Sequence, residues 1–356
     1  MASLFSDFFK KESKSALGVD IGTSAVKIVQ LRKERGAVIL ETYGAIALGP
    51  YAGVEIGRAT SLPAEKIAEA LKDVIREANV TTSDAAVSIP YSSSLVSLIR
   101  LPAVVEKDLA QVVPIEARKY IPVPINEVLL DWFLVSGGAQ KKDDKIEVLL
   151  VAIHNDTISK FKSITLDAAL NVGFFEIEVF STARAVLEHG VAPVAVVDMG
   201  AATTKFYVVE RGLIRESHIL NQGAQDLTLA ASRALGISVV QAEERKRKTG
   251  IAEEGGTDFK NSLELSLSPI VSELSRTALS WEQRNNASLG SVVLTGGGAT
   301  LRGLKEFMQS RMQNEIRLAD PFAKTQAPAF LEAILKEAGP EFSVAVGLAL
   351  RRLQES

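Results

Sequence analysis

The chain has 356 residues, 47% apolar and 23% charged, with a formal net charge of −3. That balance suits a globular protein of two or three domain-sized units with a real core, and the lack of a basic excess argues against a nucleic-acid partner. There is no cysteine, which excludes disulfides, thiolate metal sites and cysteine nucleophiles, and the three histidines (His154, His189, His218) are too scattered for a zinc or histidine-based catalytic site.

Residues 1–14 place Leu4, Phe5, Phe8 and Phe9 at near-helical spacing, with Asp7, Lys10 and Lys11 between them. This is the pattern of an amphipathic arm, or of a terminal helix on the protein's own surface. The apolar part is too short and broken for a signal peptide, and no later apolar run reaches the roughly 20 residues that span a bilayer. The expected location is the cytoplasm.

Residues 17–29 follow as an apolar run, then Asp20-Ile21-Gly22, then small residues, then a second apolar run carrying Lys27. This is a strand, a tight turn and a returning antiparallel strand. A further strand at 37–42 and a helix at 63–79 are predicted, the helix with Ile67, Leu71, Ile75 and Ala78 on one face and Pro63 near its start. Residues 86–171 read as a different block: strands at 86–90, 95–101, 128–135 and 146–153, a polar turn at 137–145, and helices at 106–120 and 155–170. Pro114 is expected to kink or divide the first of these helices. The block looks like a small α+β module inserted into the first half.

Residues 195–207 then repeat the opening pattern. Asp198, Gly200 and Lys205 stand where Asp20, Gly22 and Lys27 stand in the first copy, without gaps. A strand at 212–219 and helices at 224–235, 238–249 and 259–285 follow, Pro269 being a candidate break in the last. A buried strand at 291–295 leads into Gly296-Gly297-Gly298-Ala299, and short helices close the chain. Two meander-plus-helix halves in register indicate an internal duplication. The expected organisation is an arm at 1–14, a first domain of 15–85, 172–190 and 341–356, an insert at 86–171, and a second domain at 191–340 with a helical part near 224–288.

A turn of small residues leaves backbone N–H groups free to meet phosphate oxygens. Gly22, Thr23 and Ser24 form one such turn and Gly200 with residues 201–204 another; Thr23, Ser24, Thr203 and Thr204 add hydroxyl donors. Facing each other, the hairpins would clamp a polyphosphate. Asp20 and Asp198 at the strand ends are a candidate carboxylate pair for hydrated Mg2+, which uses one or two carboxylates plus phosphates, and Lys27 is a point cation for phosphate. The glycines at 296, 297 and 298 would let backbone approach a flat ring.

The 20–27 and 198–204 loops, followed by Leu294-Thr-Gly-Gly-Gly-Ala299, resemble the phosphate and adenosine motifs of the actin, sugar-kinase and heat-shock-chaperone superfamily. That resemblance implies an α/β fold of two RNase-H-like domains with ATP or ADP between them. Glu243 and Lys246 resemble ribose- or base-contacting residues of FtsA-like members, the alternative being a plain i,i+3 salt bridge on a helix face. In the insert, Ser88-Ile-Pro90, Ile99-Arg-Leu-Pro102, residues 116–124 and Leu130-Asp131-Trp132 closely resemble the signature of the PilM family. Membership implies a component of the type IV pilus inner-membrane assembly, reaching the membrane through partners. The implied partner is the cytoplasmic N-terminal tail of PilN, docked near the insert, with the pilus assembly ATPases as further contacts.

On the helix where actin carries a water-orienting glutamine, the matching residue is read as Arg184, which cannot accept a proton from water. Actin's second loop also has an aspartate where this chain has Ala201, and a histidine where it has Lys205. With no group assigned to position a nucleophile, slow or absent hydrolysis is expected. Two other readings stay open: an FtsA-like polymer, in which the chain self-associates in ATP, and a small-molecule kinase, for which Asp131 is the one insert aspartate with apolar flanks.

Overall fold

The computed structural model describes residues 14–102, 108–135, 145–188, 190 and 192–355. The predicted arm at 1–14, save its last residue, and most of the 137–145 turn lie outside them.

In chain order the first part runs β1 (Ser15–Ile21), β2 (Ala25–Glu34), β3 (Ala37–Ala47), α1 (Ala64–Glu77) and β4 (Asp84–Ile89). Next come β5 (Ser94–Pro102), α2 (Leu109–Ala117), β6 (Val128–Leu134), β7 (Lys145–His154), α3 (Asn155–Asp167), β8 (Asn171–Ile177) and α4 (Glu178–Val186). The second part has β9 (Val194–Met199), β10 (Thr204–Glu210), β11 (Leu213–Leu220), α5 (Ala224–Leu235), α6 (Val239–Thr249), α7 (Thr257–Asn285) and β12 (Ser291–Thr295). It closes with α8 (Leu304–Gln309), β13 (Ile316–Leu318), α9 (Glu332–Ala338) and α10 (Ser343–Glu355).

Two sheets repeat one plan: the strand orders are β3-β2-β1-β4-β8 and β11-β10-β9-β12-β13. In each, a three-strand antiparallel meander is followed by parallel strands. Equivalent registers place Asp20 opposite Lys27 and Asp198 opposite Lys205. The central strands are apolar on both faces because helices cover both, as parallel pairing requires. In α1 the stripe Ile67, Leu71 and Val74 is buried, and Pro63 occupies the N-cap as its fixed φ favours.

The third sheet, β5-β7-β6, is the insert. Its predicted start at residue 86 is too early, because β4 pairs in parallel with β1 and β8 inside the first sheet. Its predicted end at 171 is too late, since α3 packs against α1. The predicted second domain also runs too far. Phe322 and Leu335 share a core with Ala16, Val29 and Leu31 of the first sheet, and α10, expected in the first domain, lies across β1, β2 and β4. This packing is close enough to dictate sequence: a Cβ on Gly18 would collide with the Ala345 carbonyl oxygen, and one on Gly347 with the Ser181 carbonyl oxygen.

Neither proline divides its helix. Helix α2 continues through Pro114 and α7 through Pro269. A helix-interior proline costs about 3 kcal/mol, and the α7 stripe of Leu263, Leu267, Ile270, Leu274, Ala278 and Trp281, all buried, outweighs it.

Candidate functional site

The two hairpin turns open onto one cleft between the sheets, a cavity of about 740 Å³. Asp20, Gly22, Thr23, Ser24, Lys27, Asp198, Gly200, Thr203, Glu243, Lys246, Gly296, Gly297 and Gly298 all line it. Thr204 does not: it is fully buried and its hydroxyl donates to the Gln222 carbonyl at 2.8 Å. Its predicted role as a phosphate donor falls away, because it opens the returning strand facing the core.

The turns are built alike. Gly22 N–H donates to Ala25 O at 3.0 Å and Gly200 N–H to Thr203 O at 2.9 Å. Carbonyls are tied back as well, Thr23 O by Thr60 N–H and Ser24 O by Leu48 N–H. Among the described residues, nothing accepts from the N–H groups of Thr23 and Ser24, or of residues 201–203. Unpaired donors at a tight turn are an anion-binding concavity.

The carboxylates of the floor differ. Asp20 accepts from the Ser88 hydroxyl at 2.9 Å, and burial, opposed by Lys27 and assisted by Glu178, pushes its pKa up to about 6. It is a desolvated carboxylate with no hydrogen-bonded cation among the described residues, so its chemistry fits a metal ligand. Asp198 is already engaged, its Oδ2 accepting from Lys205 Nζ at 3.0 Å. Lys205 also donates to Glu178 Oε2 at 2.7 Å. Burial alone would lower the Lys205 pKa, but the two carboxylates outweigh it and hold the pKa above its ordinary value.

Glu178 is the functional residue that the sequence reading missed. It begins α4 at the end of β8, lines the cleft, and accepts from Tyr91 N–H at 2.6 Å through its second oxygen. Arg184, read as the residue at the nucleophile-orienting position, lies outside the cleft lining and grips Glu176 with two 2.7 Å hydrogen bonds. No local signal marked Glu178, because β8, whose end fixes the start of α4, has buried residues only at that end.

On the opposite wall, Lys246 Nζ pairs with Glu243 at 2.7 Å, and the Thr228 hydroxyl donates to the same carboxylate at 2.6 Å. Burial would raise the Glu243 pKa, but Lys246, Thr228 and Arg247 hold it below the usual range. The i,i+3 ion pair therefore exists, although it is buried in the cleft wall and not on a solvated face. Residues 49–62 reach across from the first half: Ala59 N–H donates to Gln225 Oε1 at 3.0 Å, and Gly57 lies so close to Glu243 that a Cβ would sit 2.7 Å from its carboxylate. Gly296, at φ +85°, admits no side chain either, since a Cβ would strike the Asp198 carboxylate. Asp131 is exposed on β6 and bonds its neighbour's N–H, away from this cleft.

The chain is 28% identical over 236 residues to the cell division protein FtsA of Helicobacter pylori, covering 58% of this chain and 47% of that one. With FtsA of Bacillus subtilis the identity is 24% over 242 residues, covering 58% and 54%. The chain spans about half the length of these curated relatives. Among solved structures, a PilM-PilN type IV pilus biogenesis complex superposes with a TM-score of 0.80 at 24% identity, over 95% of this chain and 98% of that one. MreB5 of Spiroplasma citri bound to AMPPNP gives 0.54 at 11% identity, over 97% and 98%. These likenesses establish the actin-superfamily fold. The profile of the type IV pilus assembly protein PilM matches residues 18–353, and the chain belongs to that family.

Proposed function

We propose that this protein is an ATP-binding scaffold of the type IV pilus inner-membrane assembly, held at the cytoplasmic face of the membrane by its partners. The observation that carries the nucleotide reading is the pair of hairpin turns whose unpaired N–H groups open onto one cleft. Phosphates would lie against residues 22–24 and 200–203, with Lys27 as counter-charge. Gly296, Gly297 and Gly298, with Glu243 and Lys246, would receive the nucleoside. Asp20 would hold Mg2+, which would screen phosphate charge. The fold shared with a solved PilM-PilN complex supports the cytoplasmic tail of PilN as partner, docking near the β5-β7-β6 sheet.

Hydrolysis should be slow. Glu178 is the carboxylate placed to receive a proton, but both of its oxygens are already hydrogen-bonded, one of them to an ammonium. An ion-paired carboxylate is a poor general base. Calorimetric Mg-ATP titration of the wild type and Asp20→Ala, with phosphate release followed in the same samples, tests this. We expect binding without appreciable turnover, weakened about tenfold or more in the variant. Brisk phosphate release would reject the slow site, and absence of binding would reject the nucleotide reading.

The scaffold reading makes a second prediction. A ligand shifts a conformational equilibrium only through its differential affinity for the two states. A PilN-tail peptide should therefore bind the protein with different affinity in the presence and absence of ATP. Equal affinities would reduce ATP to a structural ligand, and no binding in either condition would remove PilN as the partner.

A further inference from the structure

The two halves present the same cross-strand pair, Asp20 opposite Lys27 and Asp198 opposite Lys205, but use it differently. Among the described residues, Lys27 makes a single long ion pair, 3.9 Å from Glu341, and Asp20 has no hydrogen-bonded cation. Lys205 is locked between Asp198 and Glu178, with only 11% of its side chain exposed. All six residues line the cleft.

We propose that the Lys205 ammonium stands in for a divalent cation at the second carboxylate, so that this cleft holds a nucleoside diphosphate without needing metal. The inference rests on the nucleotide reading above and deepens it.

Three considerations support it. A phosphate chain entering a floor of Asp20, Asp198 and Glu178 alone would meet three negative charges. Counting Glu341, which pairs with Lys27, the carboxylates sum to −4, and Lys27 and Lys205 halve that to −2. Next, a lysine ammonium has three donors. Two of them go to Asp198 and Glu178, which leaves one for a phosphate oxygen from a position that cannot drift. Finally, Mg2+ demands near-octahedral ligands at about 2.0–2.1 Å. Binding it at Asp198 would bring it against a fixed positive charge, or expel that charge and leave Glu178 unpaired. Among the described residues, no group of three His, Asp or Glu side chains is arranged to hold a metal ion. Asp20 alone remains for one, which would tighten binding without being a condition of it.

The test is titration of the full chain with ADP by calorimetry, in Mg2+ and in EDTA. Wild-type affinity in EDTA is expected within about threefold of that in Mg2+. Lys205→Met should bind ADP about tenfold or more weakly in EDTA, the loss expected for one charge-assisted hydrogen bond. Lys205→Arg should keep its binding in EDTA. Removing the ammonium leaves two buried carboxylates facing each other, so the methionine variant is checked by circular dichroism. If it fails to fold, the wild-type ratio and the arginine variant decide. Wild-type binding that appears in Mg2+ and vanishes in EDTA overturns the proposal while leaving the nucleotide site standing. A folded methionine variant that binds like wild type in EDTA overturns it as well. No wild-type binding in either buffer overturns the nucleotide reading itself.

Discussion

Asp20→Asn is expected to make the ligand-free protein more stable at neutral pH while weakening its Mg-ATP binding. Folding raises the Asp20 pKa from the ordinary 3.8 to about 6, mainly through burial. A carboxylate with a raised folded-state pKa is harder to ionise in the folded protein than in the unfolded chain. Stability is therefore lost as the pH climbs from about 3.8 through about 6, and stays at the lower level above that window. At 1.36 kcal/mol per pKa unit the loss is roughly 3 kcal/mol at most. Asparagine keeps the shape and can still pair with the Ser88 hydroxyl. Urea denaturation at pH 7.5 and pH 4 should show a stabilised variant at the higher pH and convergence at the lower. A variant less stable than wild type at pH 7.5 would mean that the charge at Asp20 is compensated in the empty cleft.

The second large effect concerns packing. Gly347→Ala, in the middle of α10, should destabilise the protein by about 3 kcal/mol or more, at or above the upper end of overpacking costs. Helix propensity alone predicts the opposite sign, since alanine is favoured over glycine by about 1 kcal/mol in a helix interior. The sign is set by the Ser181 carbonyl of α4, which stands where the new Cβ would go. Backbone on both sides leaves no side chain to swing away. Gly18→Ala, meeting the Ala345 carbonyl where α10 crosses β1, should behave likewise. Chemical denaturation of either variant with a midpoint equal to wild type would show that α10 shifts freely over the sheet.

Much of this was legible in the sequence because the signals are local. The two hairpins announce themselves by Asp, Gly and Lys at fixed offsets, and α5 and β12 begin and end where their apolar patterns do. Parallel pairing left no such trace. Nothing near β4 reveals that Ala86 lies beside Gly18, 68 positions away, so β4 looked like part of the insert. Strand β8 was overlooked because its buried residues come only at its end, and β13 has just three residues. Missing β8 had a consequence for the site. Without its end, the start of α4 could not be fixed, so Arg184 was matched to the orienting position and Glu178, which lines the cleft, went unread. The commitment of Asp198 to Lys205 was half visible, since the repeat puts both residues in register. That Glu178 completes the triad depends on β8 pairing with β4, far earlier in the chain.

The C-terminal helix α10 has a consequence for how the protein is made. It covers β1, β2 and β4, yet 322 positions separate Ile21 from Ser343. At about 5–20 residues per second, a ribosome needs tens of seconds between completing that strand and supplying its cover. The 194–318 sheet needs no distant segment to pair its strands and can close during synthesis. The earlier half must wait, its apolar face open to solvent, until the last stretch emerges. Nascent chains stalled short of residue 343 should therefore carry a folded second half beside a first half still in the hands of chaperones.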